Sequence, residues 1–122
     1  MATIMVIDDD ENARSAMTRV LRTAGHNVVE AENGLRGLER LRQAPVDLVI
    51  TDLLMPEMEG IETIRELRRG HPGVRIIAMS GGGMGKAADY LPFAGALGAQ
   101  RALEKPFTAE QLLAAVQDVL AI

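Results

Sequence analysis

The stretch VDLVITDLLMPEMEG spans residues 46–60 and holds most of one strand–turn–helix unit. Its first part, Val46–Asp52, is mostly apolar in its interior and rich in β-branched residues, which predicts a buried strand. Met55–Pro56 then ends the strand, and a helix with apolar residues at helical spacing is predicted to run to Gly70. A buried strand that leads into an amphipathic helix is the building unit of a parallel α/β sheet.

The same unit recurs on both sides of this stretch. Short apolar runs alternate with amphipathic helical patterns, and turn residues such as glycine and proline separate them. Five strands and five helices result, which predicts a (βα)5 fold, a doubly wound five-stranded parallel sheet with helices on both faces. The other predicted strands are Ile4–Ile7, Asn27–Ala31, Val74–Ser80 and Arg101–Glu104, and the other predicted helices cover 11–24, 33–43, 91–97 and the residues after 108.

Local signals predict how several of these elements end and which way they face. Asp10 is predicted to cap the first helix, and Thr108 is predicted to cap the last helix in a capping box. The short, charged second strand is expected at the sheet edge. Leu35 and the later leucines of the second helix are predicted to face the core. The arginines at 65, 68 and 69 are predicted to form a solvated face of the third helix, with a partner-docking surface as the alternative.

Composition excludes several classes of protein. The 122 residues, 48% hydrophobic and 25% charged, fit one domain over residues 1–122 with no internal linker. The absence of cysteine excludes disulfides, thiolate metal sites and cysteine nucleophiles. A net charge of −4 without a basic, aromatic stripe argues against direct nucleic-acid binding. The first apolar run is too short for a signal peptide or a membrane span, so a cytoplasmic protein without membrane partners is expected.

Polar residues follow the apolar part of four predicted strands. Asp8 and Asp9 follow the first strand, and Asp52 ends the third. Ser80 ends the fourth strand, and Lys105 follows the fifth. Because parallel strands present their carboxyl ends at the same edge of a sheet, the sequence predicts that acids, a hydroxyl and an ammonium converge there.

The chemistry of this set favours phosphoryl transfer. Three carboxylates and one lysine leave a local charge of about −2, which a divalent cation would neutralise. Oxygen ligands without Cys or a nearby His favour Mg²⁺, with Mn²⁺ as an alternative, over zinc. A carboxylate can attack phosphorus and become an acyl phosphate, while an ammonium and a hydroxyl stabilise the phosphoryl oxygens. Gly81 and Gly82, beside Ser80, would leave room for a donor side chain or a water.

Over essentially its whole length the chain resembles the receiver domain of two-component response regulators. The resemblance is carried by Asp8-Asp9 after a hydrophobic strand, Asp52 within DLLMPEMEG, Ser80 within MSGG, and Lys105-Pro106 within LEKPF. Each element alone is weak, but their order and their place on the predicted strand ends make the set specific. The resemblance implies the flavodoxin-like receiver fold. With no output domain after the last helix, a stand-alone regulator is expected, and an excised domain is the alternative.

The resemblance also implies how the chain signals. Asp52 would be the phosphoacceptor, taking a phosphoryl group from the histidine of a sensor kinase or a phosphotransfer protein. Phosphorylation would then shift the conformation that binds a downstream protein partner. The chain would catalyse only its own phosphorylation and dephosphorylation, and so would not be an enzyme acting on other substrates.

Further site residues follow from the resemblance position by position. Asp8, Asp9 and Asp52 would hold Mg²⁺ together with the backbone carbonyl of Leu54. Ser80 would be the hydroxyl that follows the phosphoryl group, and Lys105 would be the ionic partner of that group. The family usually has a cis peptide before the equivalent of Pro106, which would aim the lysine. At Ala102 the chain departs from the family, which commonly has Tyr or Phe there. We hypothesise that rearrangement of residues 81–97 replaces the aromatic switch.

Two other functions remain open at this point. Asp8 and Asp10 after an apolar strand also fit a haloacid-dehalogenase-like phosphatase, with Asp8 as nucleophile and Asp10 as acid. The short chain and the absence of an acidic pair after Lys105 argue against it. A receiver fold that binds partners without phosphorylation is the second alternative, and the intact set of acids, hydroxyl and lysine argues against that. The segment SGGGMGKA, residues 80–87, misses two of the four defining positions of a nucleotide-binding loop.

Overall fold

The computed structural model describes residues 1–53, 59–80, 95 and 98–122, and the structural statements below refer to these residues. The strands and helices begin and end within about two residues of the predicted positions. Apart from residue 95, the predicted helix over 91–97 and the glycine cluster before it lie outside the described residues. The elements are β1 (Thr3–Ile7), α1 (Glu11–Thr23), β2 (Asn27–Ala31), α2 (Gly34–Gln43), β3 (Leu48–Asp52), α3 (Glu59–Gly70), β4 (Arg75–Ser80), β5 (Arg101–Glu104) and α4 (Ala109–Leu120).

The five strands form one parallel sheet in the order β2-β1-β3-β4-β5, which confirms the predicted doubly wound fold. β2 lies at an edge, as expected from its charged sequence. The chain passes from β2 over β1 to β3, so the direction of winding reverses between β1 and β3. In sheets of this kind, ligands bind at that reversal, beyond the carboxyl ends of the strands.

Two apolar layers hold the helices against the sheet. One layer joins the strands to α1 and α4, with fully buried side chains such as Ile50, Leu21 and Val116. The other joins the opposite sheet face to α2 and α3, with Val49, Ile64 and others at its centre. Both faces of the sheet therefore carry helices, and a ligand is expected at the carboxyl ends of the strands. None of the described helices is long and apolar enough to cross a membrane.

The predicted helix caps are present. The carboxylate of Asp10 accepts hydrogen bonds from the backbone N–H groups of Asn12 and Ala13, which caps α1. Thr108 and Gln111 form a reciprocal capping box at the start of α4. Both caps satisfy backbone donors that the first turn of a helix leaves without an intrahelical partner.

The prediction that Leu35 faces the core is wrong, because its residue surface is 62% exposed. The buried face of α2 is formed instead by Gly34, Gly37 and Leu41, with Leu38 partly buried. A Cβ at Gly37 would lie 2.6 Å from the Cδ1 atom of the Ile7 side chain. The helix approaches the sheet through its glycines, and this approach turns Leu35 about 100° away from the buried face.

The prediction of a solvated arginine face is wrong for Arg68. Its guanidinium donates hydrogen bonds to the carbonyl oxygens of Pro72 at 2.9 Å and Val74 at 2.5 Å. Its side chain also lies against Gly98, where an added Cβ would come within 2.7 Å of Arg68 Cδ. Burial lowers the pKa of Arg68. This arginine therefore connects the end of α3 to the loop before β4 through hydrogen bonds. Arg65, one turn earlier, is exposed as predicted.

Candidate functional site

Three carboxylates meet at the carboxyl ends of β1 and β3. The register pairs Ile7 with Thr51, so Asp8 and Asp52 occupy matching positions at the ends of neighbouring strands. Both are buried, with 1% and 7% of their surface exposed, whereas Asp9 is exposed. One carboxylate oxygen from each of the three acids lies within 4.8 Å of the others. This group of oxygen donors could hold a hard divalent cation.

Lys105 joins the two buried acids. Its Nζ donates hydrogen bonds to Asp8 Oδ2 at 2.9 Å and to Asp52 Oδ2 at 3.0 Å. The backbone continues the sheet ladder at this point, because Lys105 N–H donates to the carbonyl of Ser80 at 2.8 Å. The peptide between Lys105 and Pro106 is cis. Lys105 follows β5, and its ammonium reaches past β4 to the carboxylate that ends β3 and the carboxylate that follows β1.

The charges in this site shift two pKa values. Although most of Asp9 is exposed, partial desolvation raises the pKa of its carboxyl, and repulsion from Asp8 and Asp52 raises it further. Burial alone would lower the pKa of Lys105, but its hydrogen bonds to Asp8 and Asp52 and the attraction of their charges outweigh burial and raise it. The lysine is therefore held as a cation, while Asp9 carries a charge that its neighbours oppose. A bound cation would relieve that repulsion.

Ser80 brings a hydroxyl to the same edge. It ends β4, and the residue before it, Met79, pairs with Asp52 across the ladder. Ser80 is fully buried, and its Oγ finds no hydrogen-bond partner among the described residues. A buried hydroxyl without a partner is destabilising by about 1–3 kcal/mol. An acceptor oxygen within reach of this hydroxyl would remove that cost, so Ser80 could donate to an oxyanion ligand.

Asp8 is held through both its backbone and its side chain. Its N–H donates to the carbonyl of Ala31 at 3.2 Å, and its Oδ1 accepts from Asp10 N–H at 2.9 Å. Its carbonyl accepts a hydrogen bond at 2.8 Å from Arg14 Nη1. The sequence reasoning missed Arg14. The helix dipole disfavours an arginine in the first turn, which is a sign that Arg14 has a partner but does not identify that partner.

Gly60 lets α3 approach the end of β3. An added Cβ at this position would overlap the carbonyl oxygen of Asp52 and lie 2.7 Å from Leu53 Cα. Both atoms belong to the backbone, so neither can turn aside. The glycine that stands eight residues after Asp52 in DLLMPEMEG is therefore needed for close packing beside the buried acid.

The remaining predicted site residues divide into two groups. Ala102 lies in β5, where it pairs with Ala78 and is partly buried. Leu54, Gly81 and Gly82 lie outside the described residues, as does the segment 81–97 apart from residue 95. Among the described residues, Asp8, Asp9, Asp52 and Lys105 therefore lie together, and Ser80 lies at the end of the neighbouring strand β4.

Comparisons with a family model, with protein sequences and with solved structures all identify the same family. The family model described as the response regulator receiver domain matches residues 4–117. The chain is 36% identical over 121 residues to the sensor kinase CckA of Brucella abortus, and the match covers 98% of this chain but 12% of CckA. It is 32% identical over 120 residues to the response regulator receiver protein CpdR of the same species, with 98% of each chain covered. A receiver domain protein from Clostridium thermocellum has a solved structure that matches with a TM-score of 0.89 at 30% identity, covering 99% of this chain and 95% of that one.

Proposed function

The chain belongs to the family of response regulator receiver domains of two-component systems, and we propose that it accepts a phosphoryl group on Asp52. One observation carries the proposal. The Lys105 ammonium lies 2.9 Å from Asp8 and 3.0 Å from Asp52, at the point where the carboxylates of three acids converge. A nucleophilic carboxylate, a fixed cation and a pair of further acids are the parts that transfer to an aspartate requires.

The three acids fit a hard divalent cation. They offer oxygen ligands within 4.8 Å of one another, and the pKa of Asp9 is raised first by desolvation and then by repulsion from Asp8 and Asp52, which a cation would relieve. We propose that Asp8, Asp9 and Asp52 hold Mg²⁺, with Mn²⁺ as an alternative and the carbonyl of Leu54 as a further ligand. When bound, Mg²⁺ would neutralise charge on the phosphoryl oxygens.

The residues of the chain would divide the transfer among them. A carboxylate oxygen of Asp52 attacks phosphorus, and the O–P bond forms as the N–P bond to a donor histidine breaks. The imidazole nitrogen keeps the bonding electrons and takes up a proton. Lys105 then pairs with a phosphoryl oxygen close to its present position, and the Ser80 hydroxyl donates to another. Positioning and charge neutralisation supply most of the rate in such a transfer.

The partners belong to the same proposal. Receiver domains interact with histidine kinases or phosphotransfer proteins, so the donor would be a phosphorylated histidine of such a protein. Phosphorylation would then change the surface that a downstream protein binds. The chain would act on its own Asp52 only, in phosphorylation and in dephosphorylation.

A phosphatase that uses Asp8 as its nucleophile has less support. That mechanism needs Asp10 as the acid, but the Asp10 carboxylate accepts from the N–H groups of Asn12 and Ala13 as the cap of α1. Nothing in the part of the site that the structure describes favours this alternative.

Intact mass spectrometry after incubation with Mg²⁺ and acetyl phosphate tests the proposal. The wild type is expected to gain one phosphoryl group only when Mg²⁺ is present, and Asp52→Asn is expected to gain none. Asp118→Asn, which changes an exposed acid on α4, is the matched control and should label like the wild type. A phosphoryl gain in Asp52→Asn, or none in the wild type, would contradict the proposal.

A further inference from the structure

Arg14 makes contacts that the transfer reaction described above does not use. It lies in the first turn of α1, and its side chain is only 16% exposed. Its Nη1 donates to the backbone carbonyl of Asp8 at 2.8 Å, and its Nε donates to Glu30 Oε1 at 3.0 Å. One guanidinium thus connects the β1–α1 loop to β2, the edge strand.

We infer that Arg14 is a positioning residue that holds the Asp8–Asp9 peptide in the orientation needed for cation binding. The carbonyl that Arg14 binds belongs to the peptide linking the two acids, so its orientation fixes where both side chains leave the backbone. The carboxylates of Asp8 and Asp52 are already held by Lys105, but the exposed Asp9 depends on this peptide for its direction. The inference rests on the Mg²⁺ site proposed above.

The sign of the charge on Arg14 separates positioning from simple electrostatics. A positive side chain beside a cation site repels the cation, so by charge alone the removal of Arg14 would strengthen Mg²⁺ binding. The helix dipole also opposes an arginine in the first turn. If positioning dominates, removal of Arg14 weakens Mg²⁺ binding instead. The two effects therefore predict opposite directions for the same substitution.

Glu30 would be the anchor of this arrangement. Its carboxylate fixes the guanidinium from β2, and its side chain is 33% exposed while that of Arg14 is 16% exposed. The N–H of Asp8 donates to the carbonyl of Ala31, the next residue of the same strand. The end of β2 thus supports the acid pair twice, once through the backbone and once through the Glu30–Arg14 pair. Outer partners of metal ligands typically contribute about 10–100-fold in metal affinity.

Calorimetric titration with Mg²⁺ alone tests the inference. Arg14→Met is expected to bind Mg²⁺ about tenfold more weakly than the wild type. Arg19→Met removes the same charge from an exposed position on the same helix, and it should bind Mg²⁺ as tightly as the wild type or slightly more tightly. In labelling with acetyl phosphate, Arg14→Met should need more Mg²⁺ for half-maximal rate but keep a near-normal rate at saturating Mg²⁺.

Two substitutions that conserve the charge keep the test decisive if Arg14→Met does not fold. Arg14→Lys keeps the charge but cannot span both acceptors, so it should bind Mg²⁺ more weakly than the wild type, whereas Arg19→Lys should not. If Arg14→Met fails to fold, Arg14→Lys decides the question alone. In a folded Arg14→Met background, Glu30→Gln should cause no further loss, because Glu30 acts through Arg14.

The outcomes separate this inference from the proposed function. Tighter or unchanged Mg²⁺ binding by folded Arg14→Met, or by Arg14→Lys, would overturn the role of Arg14 and leave the Mg²⁺ site in place. A further loss from Glu30→Gln in the Arg14→Met background would overturn the role of Glu30 as the anchor. No Mg²⁺ binding by the wild type would overturn the proposed site, and the inference with it.

Discussion

Three consecutive acids after β1 have three different environments. Asp8 is buried and paired with Lys105, Asp9 is exposed with a raised pKa, and Asp10 caps α1. The role of Asp10 was predictable, since an acid before a helix pattern satisfies free N–H groups and favours the dipole. The exposure of Asp9 was not, because it depends on how the peptide after Asp8 is turned.

Replacing Asp9 should stabilise the Mg²⁺-free protein. Its pKa is raised, so the folded state holds the proton more tightly than the unfolded state, and the ionised form is destabilising above the ordinary pKa of the group. Asp9→Asn is expected to raise the free energy of unfolding at neutral pH by less than about 1 kcal/mol, since Asp9 is exposed. The difference should shrink as the pH falls through the raised pKa, because the wild type then becomes protonated.

Urea unfolding without Mg²⁺ at several pH values measures this effect. Glu62→Gln, on the exposed face of α3, removes the same charge away from the site and should change stability little. Lower stability of Asp9→Asn at neutral pH would show that the acids do not repel one another as described.

Packing between elements places the backbone of Asp52. α3 approaches β3 through Gly60, where a side chain would overlap the Asp52 carbonyl. The motif around this glycine was visible in the sequence, but the reason for it lies in the distance between a helix and a strand end. Helix α2 is a second case in which helix–sheet packing was not predictable from the sequence, because its glycines form the buried face and Leu35 lies at the surface.

Gly60→Ala is expected to destabilise the protein by about 2 kcal/mol, because the backbone atoms that a Cβ would meet cannot rotate away. Labelling by acetyl phosphate should also slow, since the end of β3 must shift. Gly70→Ala is the matched control. A Cβ there would meet nothing within 4 Å, so this change should be neutral or stabilising by less than about 1 kcal/mol. Equal stabilities of the two variants in urea would refute the close-packing account.

Arg68 connects α3 to the start of β4. Arg68→Met removes hydrogen bonds to the carbonyls of Pro72 and Val74, and should lower the free energy of unfolding by about 1–2 kcal/mol. Arg65→Met removes an exposed arginine one turn earlier and should change stability by less than about 0.5 kcal/mol. Thermal unfolding of both variants, compared with the wild type, checks the difference. If Arg65→Met is as destabilising as Arg68→Met, the connection contributes nothing.

The whole molecule explains why so much of the site could be predicted. Alternating strands and helices imply a parallel sheet, and a parallel sheet brings the carboxyl ends of its strands to one edge. Asp8, Asp52, Ser80 and Lys105 could therefore be grouped from their positions in the chain alone. The role of Arg14 could not be predicted in this way, since its side chain reaches back from α1 to a backbone carbonyl. The spacing of apolar residues in the sequence does not indicate such a contact.

The most direct test of the central claim locates the phosphoryl group on the chain. Protein labelled by acetyl phosphate and Mg²⁺ can be reduced with borohydride, which converts a phosphorylated aspartate to homoserine. Trypsin then separates residues 1–14, which contain Asp8, from residues 43–65, which contain Asp52. Fragmentation of these peptides is predicted to show homoserine at position 52, and only in samples that contained Mg²⁺. Homoserine at position 8, or none at position 52, would contradict the assignment of Asp52 as the phosphoacceptor.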